Sequence, residues 1–507
     1  MDYLALFLIR VIMMLVGVIG IDLGTSSVKV ILVNQKGQLI DEYSVSYPLI
    51  QRKSGFVEQD PEIWFSSTMH ALQTIIAANP NVKIEGISFS GQMHGLVIID
   101  EQLNPLRHAI LWNDTRTTEQ CRLIVHHLGE SLYDYTKNDA LEGFTLPKLL
   151  WVQQHEPTIF KKIAYFMLPK DYVRFKLTGE IATEPSDAAG TLLYDLASQN
   201  WSREICETFQ IPITICPNII HTTEKTGYLK DEIKNQLQID KDIPIFAGAA
   251  DNACGALGAG IIHEHQVLVS IGTSGVVLKP SKQTNYEGNF IHTMPYVEQR
   301  QFYKMGVTLA AGESLRWFTQ TFAPTESISQ LLQDLEQVDP RANRLLFTPY
   351  IFGERTPHGS STIRGSFIGI NSTHRLPDFT RAVIEGVTFS LKEVYDLLVD
   401  RNESIQEIIC IGGAAKSDSW LEIVANIFNM PVKKLQHEQG PALGAAIIAA
   451  FGAGWFDNIQ QAVQAFVQTA KTVKPTEEIA QTYAQLFQVY KQIYAQTISL
   501  NEALRKM

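Results

Sequence analysis

Residues Ile19-Gly20-Ile21-Asp22-Leu23-Gly24-Thr25-Ser26-Ser27-Val28-Lys29-Val30-Ile31-Leu32 read as an apolar strand, a Gly-Thr-Ser turn and a second apolar strand. Residues Val267-Leu268-Val269-Ser270-Ile271-Gly272-Thr273-Ser274-Gly275-Val276-Val277-Leu278 repeat that pattern in the second half of the chain. Hairpin turns of this kind often need a positive φ, which glycine supplies at little steric cost. A residue without Cβ also lets backbone N–H groups come close to an anion, and the Thr and Ser hydroxyls add donors beside them. One such turn is an ordinary hairpin. Two matched copies, one per half, predict a phosphate chain held from two sides. Asp22, just before the first turn, is placed to face a Mg²⁺ ion carried by a nucleotide.

Working outward, a length of 507 residues predicts more than one domain. Hydrophobic residues make up 45% and charged residues 19%, the balance of an ordinary globular chain. The formal net charge of −11 argues against a nucleic-acid or anionic-membrane partner. It does not argue against ATP, because a few local donors and Mg²⁺ outweigh a diffuse charge. Cys121, Cys206, Cys216, Cys254 and Cys410 show no CxxC spacing and are odd in number. Reduced thiols and a cytoplasmic location are expected, rather than a disulfide framework or a zinc site. Residues 4–21 are almost wholly apolar, broken by Arg10, a length that could span a membrane. Asp2 stands where a signal peptide needs basic residues, and no small-residue cleavage site follows. Residues 16–21 are needed as the first strand, so the fold is expected to start near Met13 or Met14, leaving 1–13 as an apolar extension.

Along the chain, a turn at 34–38 and a strand near 39–45 complete a meander. Asp60-Pro61 marks a helix start, with Asp as N-cap and Pro at the first helical position, and the helix is predicted over 62–78. A strand over 82–90 leads into Gly91-Gln92-Met93-His94-Gly95, and helices dominate 117–177. A short buried strand at 243–247 ends in Gly248-Ala249-Ala250-Asp251-Asn252. The second hairpin then restarts the plan of the first half, predicting a mixed α/β architecture. A strand over 407–411 ends in Gly412-Gly413-Ala414-Ala415 before a helix over 418–429. The Ala- and Gly-rich segment 440–454 is predicted to be a closely packed helix. The last helix is predicted over 477–500, with Ile479, Tyr483, Leu486, Tyr490 and Ile493 on one face.

These residues resemble the FGGY carbohydrate kinases, within the hexokinase–actin superfamily, over most of the chain from about 16 to 455. GFTLPKLLWVQQ at 143–154 and GSFIGINSTHRLPDFTRAVIE at 365–385 are similar to the two signatures of that family. Further blocks carry the resemblance: Gly91-Gln92-Met93-His94-Gly95, Ile110-Leu111-Trp112-Asn113-Asp114, Leu168-Pro169-Lys170-Asp171-Tyr172, Ser186-Asp187-Ala188-Ala189-Gly190-Thr191 and Gly353-Glu354-Arg355-Thr356-Pro357. The resemblance implies an α/β fold of two ribonuclease-H-like (actin/hexokinase-type) domains around a central cleft. It divides the chain into a sugar-binding domain over 14–242, an ATP-binding domain over 243–470 and a C-terminal helix over 471–507. The implied reaction transfers a phosphoryl group from ATP to D-xylulose. Partners are then a sugar and ATP, with at most a second copy of the chain in a homodimer.

Phosphoryl transfer asks the protein to position the reactants, stabilise charge and accept the alcohol proton. Asp251, at a strand end among small residues, suits the base, the role that the resemblance gives to this block. Asp22 is the expected Mg²⁺ residue, acting through water. Gly24, Thr25 and Ser26 are expected at the transferring phosphate, Gly272, Thr273 and Ser274 at the other phosphates, and Gly412, Gly413 and Ala414 at the adenosine. Met93 and His94 are the sugar contacts that the resemblance implies; Trp112 and Asn113 are weaker candidates, and Asp114 is as well explained as a helix cap. The Met93–His94 loop holds no Lys or Arg to pair with a carboxylate, which favours a neutral ketopentose over gluconate. The rival readings are a kinase for gluconate, ribulose or glycerol, or a nucleotide-binding sugar sensor without catalysis.

Overall fold

The computed structural model describes residues 15–285, 290–339, 344–400 and 402–507, which form two compact units. The first takes the chain up to Gly260 together with 294–301 and 439–467; the second takes 261–293, 302–438 and 468–507. The apolar extension expected over 1–13 lies outside the described residues. Among the described residues no helix is long and apolar enough to cross a membrane.

In the first unit, β1 (Leu15–Leu23), β2 (Ser27–Asn34) and β3 (Leu39–Ser46) form an antiparallel meander. β4 (Val82–Gly91) runs parallel to β1, and β6 (Pro244–Phe246) runs parallel to β4, with β5 (Lys225–Tyr228) antiparallel at the edge. β7 (Ala249–Ala250) adds to the end of β4, giving the order β5-β6-β4-β1-β2-β3. β1 is central and covered on both faces, which is why its sequence is a continuous apolar run. β3 is an edge strand and alternates between exposed and half-buried residues. Around the sheet stand α1 (Pro61–Ala78), α2 (Thr145–His155), α3 (Pro169–Thr178), α4 (Pro185–Ala189) and α5 (Asp251–Gly258). The α1 start is as expected: Asp60 accepts from the Glu62 N–H at 3.0 Å, and Pro61 is the first helical residue.

The second unit repeats the plan. β8 (Gln266–Ile271), β9 (Gly275–Ser281) and β11 (Phe302–Thr308) form the meander, and β10 (His292–Pro295) flanks it. β12 (Glu407–Gly412) is parallel to β8, β13 (Val432–Leu435) is parallel to β12, and β14 (Thr469–Val473) closes the edge antiparallel. The helices of this unit include α6 (Gly312–Phe322), α7 (Leu376–Leu398) and α8 (Asp418–Phe428). The next helix, α9 (Pro441–Gly452), belongs to the first unit, and α10 (Glu477–Arg505) to the second. α10 runs past the expected 500, and Ala480 and Phe487 join Tyr483, Tyr490 and Ile493 on its buried face.

The units are not continuous in sequence, unlike the segments expected with joins at 242/243 and 470/471. β6 and β7 are hydrogen-bonded to β4, so the chain stays in the first sheet as far as α5. α9 returns to that sheet because its small residues match a glycine surface. A Cβ on Gly20 of β1 would lie 2.1 Å from the Ala442 carbonyl, and one on Gly444 would lie 2.0 Å from the Cys254 carbonyl of α5. The close packing expected of this segment is therefore backbone against backbone. Gly444→Ala should destabilise the protein by about 1–3 kcal/mol through overpacking. The reading is a lower urea midpoint at unchanged slope, and an unchanged midpoint would show that α5 and α9 have room to part.

Candidate active site

The first Gly-Thr-Ser turn is held by its carbonyls. The Gly24 carbonyl accepts from Tyr47 Oη at 2.6 Å, the Thr25 carbonyl from Gln59 Nε2 at 2.8 Å, and the Ser26 carbonyl from the Tyr47 N–H at 3.0 Å. In a planar trans peptide the N–H points opposite to the C=O. Carbonyls turned toward Tyr47 and Gln59 therefore aim the amides of Thr25, Ser26 and Ser27 to the other side, an arrangement suited to anions. Two expectations are corrected. Gly24 and Gly272 are not among the residues of positive φ, so the turn does not need glycine for that reason. The Thr25 hydroxyl is also already committed, donating to Gln92 Oε1 at 3.2 Å and accepting from Trp112 Nε1 at 2.9 Å.

Asp22 sits one residue from the end of β1, opposite Lys29 on β2 and Ser90 on β4. Burial pushes its carboxyl up to about 6, opposed by the Ser90 hydroxyl and the Lys29 ammonium. Asp251 opens α5 after β7, and β7 pairs with the end of β4, so both carboxylates lie at the same end of the sheet. Burial raises Asp251 to about 7, with the Asp22 charge adding to the rise and the Asn252 N–H, at 2.7 Å, opposing it. Two recessed carboxylates, the charge of Asp22 raising the proton affinity of Asp251, fit one divalent cation. Among the described residues no group of three or more His, Cys, Asp or Glu could hold a metal by itself.

Asn252 reaches the loop at 92–94, its Nδ2 lying 3.6 Å from Met93 Sδ. His94 follows with φ 68°, outside the usual range for a residue with a Cβ. It is held there from several sides. Its Nδ1 bonds the Gly190 carbonyl at 2.7 Å, and its own carbonyl accepts from Thr145 Oγ1 and Lys148 Nζ, each at 3.0 Å. The Nδ1 bond to a carbonyl requires a proton on Nδ1, which makes Nε2 the acceptor nitrogen of a neutral ring. Lys148 is fully buried, and burial lowers its ammonium to about 7. Thr145 and Lys148 lie in the first signature stretch, and sequence reasoning gave them no role.

Trp112 is 41% exposed and bonds Thr25 rather than the Met93–His94 loop. The Asn113 side-chain oxygen is buried. Asp114 is no helix cap: it accepts from the Val57 N–H at 2.6 Å and pairs with Arg116 at 2.7 Å.

Behind Asp251 lies a buried ion cluster. Lys170 Nζ lies 2.8 Å from Asp171, 3.0 Å from Asp187 and 3.3 Å from Glu184, and Arg174 pairs with Asp171 at 2.9 Å. The cluster grips the strand that leads to Asp251: Arg174 donates to the Ala247 carbonyl at 2.7 Å, and Ser186 Oγ accepts the Ala250 N–H at 2.9 Å. Gly248 between them has φ 83°, and a Cβ there would lie 2.1 Å from the Phe89 carbonyl. Both halves of the cluster were visible as sequence blocks, but nothing in the sequence showed that they meet.

In the second unit the turn at 272–274 is exposed and built on the same principle. The Gly272 carbonyl accepts from the Gly312 N–H at 2.8 Å, and the Thr273 carbonyl from Ala311 at 3.0 Å and Glu313 at 3.2 Å. The first amides of α6 therefore fix the turn and aim the Thr273 and Ser274 N–H groups away from α6. The small run Ala310-Ala311-Gly312 was the available signal, since a Cβ on Gly312 would lie 2.6 Å from the Gly272 carbonyl. At the end of β12, Gly412 has φ 87° and donates to Glu438 Oε2 at 2.9 Å. Gly413 is exposed, whereas Ala414 turns into the core, so the glycines carry the accessible surface there.

Residues 17–258 match the model of the FGGY family of carbohydrate kinases, N-terminal domain, and 267–453 that of its C-terminal domain. The chain belongs to the FGGY family of carbohydrate kinases. It is 50% identical to a xylulose kinase of Bacillus subtilis over 96% of this chain and 98% of that one. The structure of a ligand-bound xylulose kinase from Lactobacillus acidophilus superposes with a TM-score of 0.92 at 28% identity, covering 97% of this chain and 100% of that one. A gluconate kinase from the same organism superposes equally, with a TM-score of 0.92 at 28% identity and the same coverage. The mixed α/β units expected from sequence are those of this family.

Proposed function

We propose that this protein transfers the γ-phosphoryl group of ATP to D-xylulose, giving D-xylulose 5-phosphate. The observation that carries the reading is the recessed Asp251 carboxylate, beside Asp22 and joined through Asn252 to Met93. With its proton affinity raised to about 7, Asp251 is matched to taking a proton from a sugar hydroxyl near neutral pH. Asp22 would hold the Mg²⁺ of the nucleotide, which neutralises charge on the phosphates. The outward amides of residues 24–27 would receive the transferring phosphate, those of Thr273 and Ser274 the other phosphates, and Gly412 with Gly413 the adenosine. Met93 offers an apolar wall and His94 a hydrogen-bonding edge to a neutral polyol chain.

The fold does not choose the sugar, since xylulose and gluconate kinases superpose on it equally. The half-identical relative favours xylulose. So does the loop, where Lys148 is buried and directed at the His94 and Gly143 carbonyls rather than available to a carboxylate. The test is kcat/KM for D-xylulose, D-ribulose, L-ribulose, glycerol and gluconate on one preparation. D-xylulose is expected first, with His94→Ala reducing its kcat/KM by up to ~10⁴ and the KM for ATP far less. Gluconate ranking first would overturn the sugar assignment, and no ADP release with any acceptor would favour the sensor reading.

A further inference from the structure

The turn at 24–26 and the loop at 92–94 belong to different strands, yet one carboxamide joins them. Gln92 is 1% exposed. Its backbone N–H donates to the Leu23 carbonyl at 2.8 Å, which seats it beside the turn. Its side-chain oxygen accepts from Thr25 Oγ1 at 3.2 Å, and its Nε2 lies 3.4 Å from both the Gly24 carbonyl and Gln59 Oε1. Gln59 in turn donates to the Thr25 carbonyl and is held by Trp64 Nε1 at 2.9 Å. One buried amide thus contacts the turn at a side chain and at a carbonyl, while the next residue in the chain, Met93, faces Asn252 beside Asp251.

We propose that Gln92 is a positioning residue that makes nucleotide binding depend on sugar binding. This rests on reading residues 24–26 as the phosphate turn and Met93–His94 as the sugar loop. A hydroxyl has one proton. While Thr25 gives that proton to Gln92, it presents only lone pairs to a phosphate, and anion binding falls to the backbone amides. A sugar that shifts Met93 and His94 shifts Gln92, and so changes both the direction of the Thr25 hydroxyl and the hold on the Gly24 carbonyl. Trp112, donating to the same hydroxyl from the exposed side, is the second support. Length matters as well as chemistry. Asn in place of Gln92 keeps the carboxamide but is one methylene too short to reach both partners. The dependence is reciprocal: whatever factor the sugar applies to nucleotide affinity, the nucleotide applies to sugar affinity.

The experiment is calorimetric titration of a nonhydrolysable ATP analogue with Mg²⁺, with and without saturating D-xylulose. The proteins are the native chain, Gln92→Asn, Thr25→Val and the double variant, each checked by thermal unfolding. In the native protein the sugar is expected to tighten nucleotide binding by at least about fivefold. Each single substitution should bring that factor to within about twofold of unity, and the double variant should be no worse than either single, because both break one bond. Additive effects, a full factor in Gln92→Asn, or no factor in the native protein would overturn the proposal. Thr25→Val with native nucleotide affinity and a native factor would instead sink the phosphate-turn reading. Trp112→Phe changes an exposed side chain and keeps the test open if a core variant fails to fold. It should lower the factor by at least about twofold, and an unchanged factor counts against the proposal.

Discussion

Asp251→Asn is expected to lower kcat by 10²–10⁴, the usual worth of a general base, while leaving ATP binding and the fold in place. Asn keeps the size of the side chain and the position at the start of α5, but it cannot accept the hydroxyl proton. The raised proton affinity gives this prediction a second signature. In the free enzyme the acid limb of kcat/KM should fall near pH 7, because the base works only when ionised. Stability should move the other way. An acid raised from 3.8 to about 7 on folding contributes stability below its unfolded value that is lost as pH rises through 7. Asn never ionises and escapes that loss. Asp251→Asn should therefore unfold at a higher temperature than the native protein at pH 8. The gap should grow between about pH 4 and 7 and level off above, amounting to roughly 1–3 kcal/mol. A variant within a few-fold of native kcat would remove Asp251 from the base role. A stability gap independent of pH would show that the carboxylate is not strained by its surroundings.

Lys170→Met should be the most damaging single change to stability away from the reacting groups, about 3–5 kcal/mol. Lys170 and Arg174 face three carboxylates in a region closed to solvent. Burial alone would lower the Lys170 pKa, but Asp171, Asp187 and Glu184 outweigh it, so the ammonium is held charged. Burial pushes Asp187 well above the ordinary carboxyl range, with Lys170 opposing and Asp171 and Glu184 adding to the rise. A proton on Asp187 leaves two anions against two cations. Replacing Lys170 with an apolar isostere keeps the packing and strands the anions. Replacing Asp187 with Asn mimics the protonated acid and should cost no more than about 1 kcal/mol. Urea unfolding of the two variants side by side separates these outcomes. Equal losses would mean that Asp187 is ionised and the balance of charges is different. Because the cluster also holds Ala247 and Ala250, Lys170→Met should reduce kcat more than the KM for sugar in whatever fraction folds.

Much of the fold was legible because its signals are local. The apolar run of β1, the Asp60-Pro61 start of α1 and the alternation of β3 depend on residues close in sequence. The repeated Gly-Thr-Ser hairpin announced the repeated sheet plan, since each copy opens a meander in its own unit. Residues 16–21, read as the first strand, lie within β1. The reason given for the turn glycines failed: their φ is not positive, and the turns are shaped by the donors that their carbonyls find. Those donors, Tyr47, Gln59 and the first amides of α6, lie about 20–40 residues away, where no periodicity points to them.

The sequence by itself determined the family, the two matched turns, the order of strands and helices, and the presence of Asp22, Asp251, Met93 and His94 in suggestive settings. Those features rest on backbone preference and on short motifs, which act over a few residues. Tertiary structure alone decided which of these groups meet. It brought Asp251 beside Asp22, because β7 pairs with the end of β4 next to β1. It directed Trp112 to Thr25, and gave Lys148 to the carbonyl of His94. It also joined Lys170 and Asp171 to Glu184 and Asp187 in a buried cluster that holds the strand before Asp251. Proton affinity, hydroxyl direction and charge balance depend on burial and on neighbours within a few ångströms, and those are set only when strands distant in sequence lie side by side.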